Sequence, residues 1–228
     1  MRVIVLPGLD GTGELLDAFA AALAPEFDAQ IIPYPRDQML GYADLTQLVI
    51  AAMPRDEPFL LVAESFSGPI ALRVAAARPD DLAGVVLCAS FAKAPLRRVF
   101  SPIVPGRLIR YLPVQRMPAR LMMPLMMGKW SSPDWRRRVQ ASLSGVEEKV
   151  IRHRLREVLR VDETRSLGHS TCPLLYLRAL RDRLVPVRSR DMIVSVRPDT
   201  VCVDVDGPHF LLQAQPVECA AIIRRAFP

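Results

Sequence analysis

The stretch FLLVAESFSGPIAL, residues 59–72, decides how the rest of the chain is read. Its first five residues are apolar enough for a strand buried on both faces. Pro69 stands near the start of a second apolar run that suits a helix, because proline is favoured in the first helical turn. Between them lies Ala63-Glu64-Ser65-Phe66-Ser67-Gly68. A serine on so sharp a strand-to-helix turn projects its hydroxyl from the sheet edge, and the next backbone N–H, that of Phe66, points where a helix N-terminus favours negative charge. The pattern departs from Gly-x-Ser-x-Gly, since Ala63 and Ser67 take the glycine positions, each adding only a small side chain. On this stretch alone Ser65 is either a nucleophile or an ordinary helix-capping serine, and Ser67 is itself a candidate cap.

Outward from that turn, short β-branched runs alternate with helix-period segments. Strands are predicted over about 3–6, 28–33, 59–63, 85–88, 173–178 and 201–205, and helices over about 13–24, 43–53, 68–78, 187–195 and 209–226. Alternation of this kind predicts an α/β fold with a doubly wound, mainly parallel sheet of about six strands. One long stretch breaks the rhythm. Residues 91–165 carry Pro95, Pro102, Pro105, Pro113, Pro118, Pro124 and Pro133, and they read as a helical lid inserted over one edge of a core made of 1–90 and 166–228. Met117, Met122, Met123, Met126 and Met127 crowd into this insertion. Methionine is flexible and polarisable and suits surfaces that accept varied apolar ligands, although core packing is the commoner reason for such a cluster.

A chain of 228 residues, half of them hydrophobic, fills one domain with a sizeable core. The apolar run at 3–6 is too short for a secretory h-region, and no span approaches the roughly 20 apolar residues of a membrane helix. Cys88, Cys172, Cys202 and Cys219 show no C-x-x-C pairing and suit reduced thiols, so the expected location is cytoplasmic. The net charge of +6 is unevenly spread. Residues 91–165 hold 17 of the 30 Lys and Arg and 6 of the 24 Asp and Glu, a net of +11, which leaves −5 for the remainder. That asymmetry points to an anionic partner facing the insertion, against the alternative of a merely solvated basic helix face.

Ligands of open parallel sheets bind at the carboxyl ends of the strands, so the residues after each strand are the ones to compare. A serine hydroxyl needs a base to take its proton, and the base needs an acid to hold it. Of the three histidines, His153 sits in an Arg-rich helical segment and His169 in a polar connection. His209 alone follows a strand, in Asp206-Gly207-Pro208-His209-Phe210. Asp182 follows the fifth strand, whereas the loop after the fourth, Ala89-Ser90-Phe91-Ala92, has no carboxylate. Asp204 alternates along a strand and Asp206 reads as a turn residue. The order Ser65, Asp182, His209 is that of nucleophile, acid and histidine in one known hydrolase arrangement.

At these residues the sequence resembles the α/β-hydrolase fold family over nearly its whole length. LPGLDGTG (6–13) resembles the family's oxyanion loop, AESFSGPIAL its nucleophile elbow, ALRDRLVP (179–186) its acid loop and DGPHFLLQAQP (206–216) its histidine loop. The first strand would correspond to the family's third. The resemblance implies that Ser65, Asp182 and His209 are catalytic and that the N–H groups of Leu9 and Phe66 form an oxyanion hole; no cofactor is expected, and metal catalysis lacks any clustered His, Cys or carboxylate spacing. It implies a serine carboxylesterase or thioesterase working through an acyl-serine intermediate, with Met122, Met123, Met126, Met127, Arg136, Arg137 and Arg138 as candidate substrate contacts. The cationic, Met-rich insertion suits an apolar acyl chain carried by something anionic, an acyl carrier protein or coenzyme A among them. The plan is similar to that of pimeloyl-carrier-protein methyl ester esterases and of hydrolase-like acyltransferases.

Three rival readings follow from the same residues. An acyltransferase would use the same nucleophile with an alcohol or thiol acceptor, and a non-catalytic relative would only bind. A nucleotide site is disfavoured, because Gly8-x-x-Gly11-x-Gly13 is not G-x-G-x-x-G, no Lys-Ser/Thr follows it, and Asp28 precedes the second strand instead of ending it. No nucleic-acid partner is expected.

Overall fold

A computed structural model describes residues 1–55, 57–77, 79–95 and 119–228. Six strands, β1 (Arg2–Leu6), β2 (Asp28–Ile31), β3 (Phe59–Glu64), β4 (Leu82–Cys88), β5 (Leu174–Ala179) and β6 (Val201–Val205), form one parallel sheet in the order β2-β1-β3-β4-β5-β6. Every strand foreseen in the sequence is present, each within a few residues of its expected bounds.

Period-two alternation places successive side chains on opposite faces, and both faces are covered. On one side Ile4, Leu6, Leu61, Ala63, Val85, Leu87 and Tyr176 pack against helices α2 (Tyr42–Ala51), α3 (Gly68–Ala76), α7 (Thr164–His169) and α8 (Val187–Val196). On the other, Val3, Val5, Leu60, Val62, Val86 and Leu177 meet α1 (Asp17–Leu23), α9 (Leu211–Ala214) and α10 (Pro216–Ala226). The sequence suggests one helix over 209–226; it is two, because Pro216 has no N–H to continue α9 and starts α10 instead.

Between β4 and β5 lie α4 (Ala119–Met126), α5 (Pro133–Ser144) and α6 (Glu148–Arg160). Their apolar faces make a third core, with Met122, Met123, Met127, Val139, Leu143, Val150 and Ile151 closing on Leu15 from the sheet layer. Pro102, Pro105, Pro113, Pro118 and Met117 lie outside the described residues.

The sheet order fixes where a site can form. The chain runs from β1 outward to β2, returns across β1 to β3, and then proceeds the other way. The loops after β1 and β3 therefore diverge from neighbouring strand ends, which is the switch point at which open α/β sheets hold ligands.

Candidate active site

Strand β3 ends in a single turn of 3-10 helix, Ser65–Ser67, that leads directly into α3. Ser65 itself takes the left-handed backbone conformation, with φ 47°. The two absent glycines have a simple explanation. Ala63 is an ordinary strand residue and Ser67 is right-handed helical (φ −83°, ψ −7°), so neither needs glycine's freedom. Ser67 caps no helix N–H. Its hydroxyl instead donates to the Pro7 carbonyl and lies 2.6 Å from the Tyr34 hydroxyl, fastening the elbow to the loop after β1. The glycine that is required is Gly68, where a Cβ would collide with Ser90 Oγ, the hydroxyl that donates to the Ser65 carbonyl at 2.6 Å.

The three residues proposed from separate strand ends meet. Ser65 Oγ lies 2.9 Å from His209 Nε2, and His209 Nδ1 lies 2.8 Å from Asp182 Oδ2. The other carboxylate oxygen of Asp182 accepts the N–H groups of Leu184 at 2.7 Å and Val185 at 2.9 Å, so its own loop holds it. Burial disfavours the imidazolium of His209. The Asp182 charge, the Asp182 hydrogen bond and the nearby Glu64 outweigh that effect and raise its pKa above the usual 6.5. The alternatives Asp204 and Asp206 are elsewhere, paired with Arg178 and with Arg181 and Lys129 respectively.

Ser65 and His209 open onto a cavity of ≈ 350 Å³ whose walls include Leu9, Leu15, Phe66, Phe91, Met122, Leu125, Met126, Leu155, Val158 and Phe210. That volume suits a small ligand. Leu9 and Phe66 line the same cavity as Ser65. Glu64 also lines it, buried, and that burial lifts its carboxyl from 4.5 to about 7.

Of the candidate substrate contacts, Met122 and Met126 line the cavity and the others do not. Met123 of α4 and Met127, one residue past its end, are buried in the core of the helical layer with Val139, Leu143, Val150 and Ile151. Arg136 and Arg137 are exposed on the outer face of α5 beside Gln140, Ala141 and Ser144, and Arg138 crosses to Asp17 of α1 at 2.8 Å. Val139, Ser142 and Leu143 set the buried face of α5; position 137 falls opposite it, whereas Arg136, a heptad from Leu143, lies at its flank and is exposed in the first turn.

The sequence reading passed over Arg154, Leu155 and Val158, all on α6. Leu155 and Val158 are one turn apart and were visible as such. Arg154 was not, because in Ile151-Arg-His-Arg-Leu-Arg it looks like one of several solvated arginines; it is 1% exposed. Among the described residues no group of three or more His, Cys, Asp or Glu side chains could hold a metal ion, and no helix is long and apolar enough to cross a membrane.

The sequence profile described as the alpha/beta hydrolase family matches residues 3–222, and the chain belongs to that family of hydrolases. Among solved structures it is similar to the enol-lactonase of Burkholderia xenovorans LB400 (TM-score 0.81, 13% identity, 99% of this chain and 90% of that one). It is also similar to a lipase-esterase related protein of Clostridium acetobutylicum ATCC 824 (0.80, 14%, 100% and 94%). A thermophilic esterase of Thermogutta terrifontis follows (0.74, 21%, 100% and 91%). At these identities the likeness is one of fold. No curated protein sequence matches the chain.

Proposed function

We propose that this protein hydrolyses carboxylic esters or thioesters of an apolar acyl chain through an acyl-Ser65 intermediate. The observation that carries the proposal is the unbroken line Ser65–His209–Asp182 opening into an apolar cavity. With Asp182 accepting from Nδ1–H, His209 Nε2 is free to take the Ser65 proton. Ser65 Oγ then attacks the acyl carbon, and the N–H groups of Leu9 and Phe66 receive the charge on the carbonyl oxygen. Collapse breaks the bond to the leaving alcohol or thiol, which takes the proton from His209. Water enters, gives a proton to the same imidazole and adds to the acyl carbon; the bond to Ser65 Oγ then breaks, Oγ takes the proton back from His209, and the acid leaves. Each oxyanion donor contributes roughly 3 to 4 kcal/mol to the transition state.

Helices α4 to α6, part of the insertion at 91–165, act in this scheme as the lid that excludes water from the cavity, and the exposed Arg136 and Arg137 support an acyl group delivered on an anionic carrier, acyl carrier protein or coenzyme A. An alcohol or thiol in place of water would make the enzyme an acyltransferase. Incubation with such acceptors and analysis for transacylated product separates the two.

Ser65→Ala is expected to lower p-nitrophenol release from short acyl esters by about a million-fold. Retained turnover in that variant sinks the assignment. Labelling by a fluorophosphonate, mapped to the Ser65 peptide, checks the nucleophile independently.

A further inference from the structure

A buried side chain of the helical layer, Arg154, holds the loop after β1 by its carbonyls. Arg154 of α6 donates Nη1–H to the carbonyls of Leu9 (3.1 Å) and Asp10 (2.6 Å), and Nη2–H to the carbonyl of Pro35 (2.9 Å). Its guanidinium lies 5.6 Å from the centre of the Tyr34 ring. The loop is shaped to receive it. Gly11 has φ +71°, and a Cβ there would collide with Arg154 Nη1, so Gly11 admits the guanidinium as well as the turn.

The bonds form a series. The peptide unit joining Asp10 to Gly11 accepts Arg154 at its carbonyl end and, at its other end, donates Gly11 N–H to the Gly8 carbonyl at 3.1 Å. The next unit, joining Gly8 to Leu9, accepts that bond and carries Leu9 N–H at its far end. A trans peptide sets its C=O and N–H antiparallel, so fixing the carbonyl aims the amide. Two aligned peptide dipoles thus run from a buried cation to the amide that would receive the oxyanion, and hydrogen bonds in such chains polarise one another.

We infer that Arg154 is the positioning residue of the oxyanion hole, so that α6 completes the catalytic machinery as well as covering the cavity. The inference rests on the proposed acyl-Ser65 chemistry and on Leu9 N–H as an oxyanion donor. It reaches further by making the seating of α6 and the assembly of the oxyanion hole a single event. A second tether from the same layer agrees with it: Ser142 of α5 donates to Asp10 Oδ2 at 2.9 Å, the atom that also accepts Thr12 N–H at 3.0 Å.

The test is a comparison of Arg154→Lys and Arg154→Met with the wild type in the full chain, using p-nitrophenyl butyrate, a boronic acid that forms a tetrahedral adduct with serine, and butyramide as a ground-state ligand. For Arg154→Met, kcat should fall about 10- to 100-fold, a fraction of the loss caused by deleting a donor, with KM within about threefold. The boronic acid should weaken by the same factor as kcat/KM, while butyramide binding is unchanged. Arg154→Lys, which keeps the charge and the apolar stem but cannot reach three carbonyls, should lie between. Thermal melts report whether each variant is folded.

Wild-type kcat and boronic acid affinity in a folded Arg154→Met overturn the inference, as does equal weakening of both ligands. If Arg154→Met does not fold and Arg154→Lys folds with wild-type kcat, the residue is only structural and the inference fails. If the wild type itself is not labelled at Ser65 by a fluorophosphonate, the acyl-serine reading has failed and the inference falls with it. A labelled wild type with indifferent Arg154 variants removes the inference alone.

Discussion

Glu64 shows how a single side chain can be plain in the sequence and silent about its role. It stands beside Ser65, yet only the fold reveals that it is 4% exposed, close to Gly8, and near enough to His209 to raise the imidazole's pKa. In the proposed mechanism the acid limb of kcat/KM reports His209 in the free enzyme. Glu64→Gln removes one of the charges that favour the imidazolium, so that limb should move to lower pH in a pH–rate profile; an unmoved limb contradicts the coupling. Stability follows from the same residue with a definite sign. Glu64 holds its proton to about pH 7 in the folded chain and releases it near 4.5 when exposed, so the native state is progressively penalised as pH rises from 4.5 to 7. Glu64→Gln abolishes that loss, worth roughly 3 kcal/mol at pH 8. Urea midpoints at pH 5 and pH 8 should diverge in the wild type and differ less in the variant, the raised pKa of His209 leaving a remainder.

Elements were legible where local pattern alone decides them. All six strands announce themselves as short runs rich in apolar residues, and three loops at their ends carry Ser65, Asp182 and His209, the side chains that the proposed chemistry needs at a switch point. The helical layer was less legible. Amphipathic period shows which face of α4, α5 and α6 is buried, but not which apolar residues of the layer's core also reach the cavity, as Met122 and Met126 do, and which do not, as with Met123 and Met127. Gly68 is another position whose reason is tertiary. Its backbone is ordinary helix (φ −56°), so the need for glycine comes from the loop after β4 pressing on the first turn of α3. Gly68→Ala is expected to destabilise the fold by about 1 to 3 kcal/mol, as overpacking does, and to cut turnover by disturbing the Ser90 bond to the Ser65 carbonyl. A wild-type urea midpoint would show that the contact is not tight.

At the scale of the molecule, the basic excess of the inserted segment divides into charges with different tasks. Arg154 is buried under the loop after β1, Arg138 pins α5 to α1 and stacks on Trp135 at 4.6 Å, and only Arg136 and Arg137 face outward on that turn. A charge-reversal test is therefore cleaner with Arg136→Glu and Arg137→Glu, leaving Arg138 in place. The pair should raise KM for an acyl-carrier-protein or acyl-CoA substrate severalfold, and less so in high salt, while KM for p-nitrophenyl butyrate stays unchanged. Equal effects on both substrates would mark the two arginines as solvated surface.

The sequence by itself determined the α/β class, the strand inventory and the three polar residues after the strands, because hydrophobic period and turn chemistry are local properties. Tertiary structure alone decided which of the arginines is buried, why two elbow glycines are dispensable, and how Ser65, His209 and Asp182 come within hydrogen-bond distance. Those facts depend on backbone geometry and on surfaces that folding brings together from separate segments, such as α6 against the loop after β1, and no local pattern records what a side chain meets there.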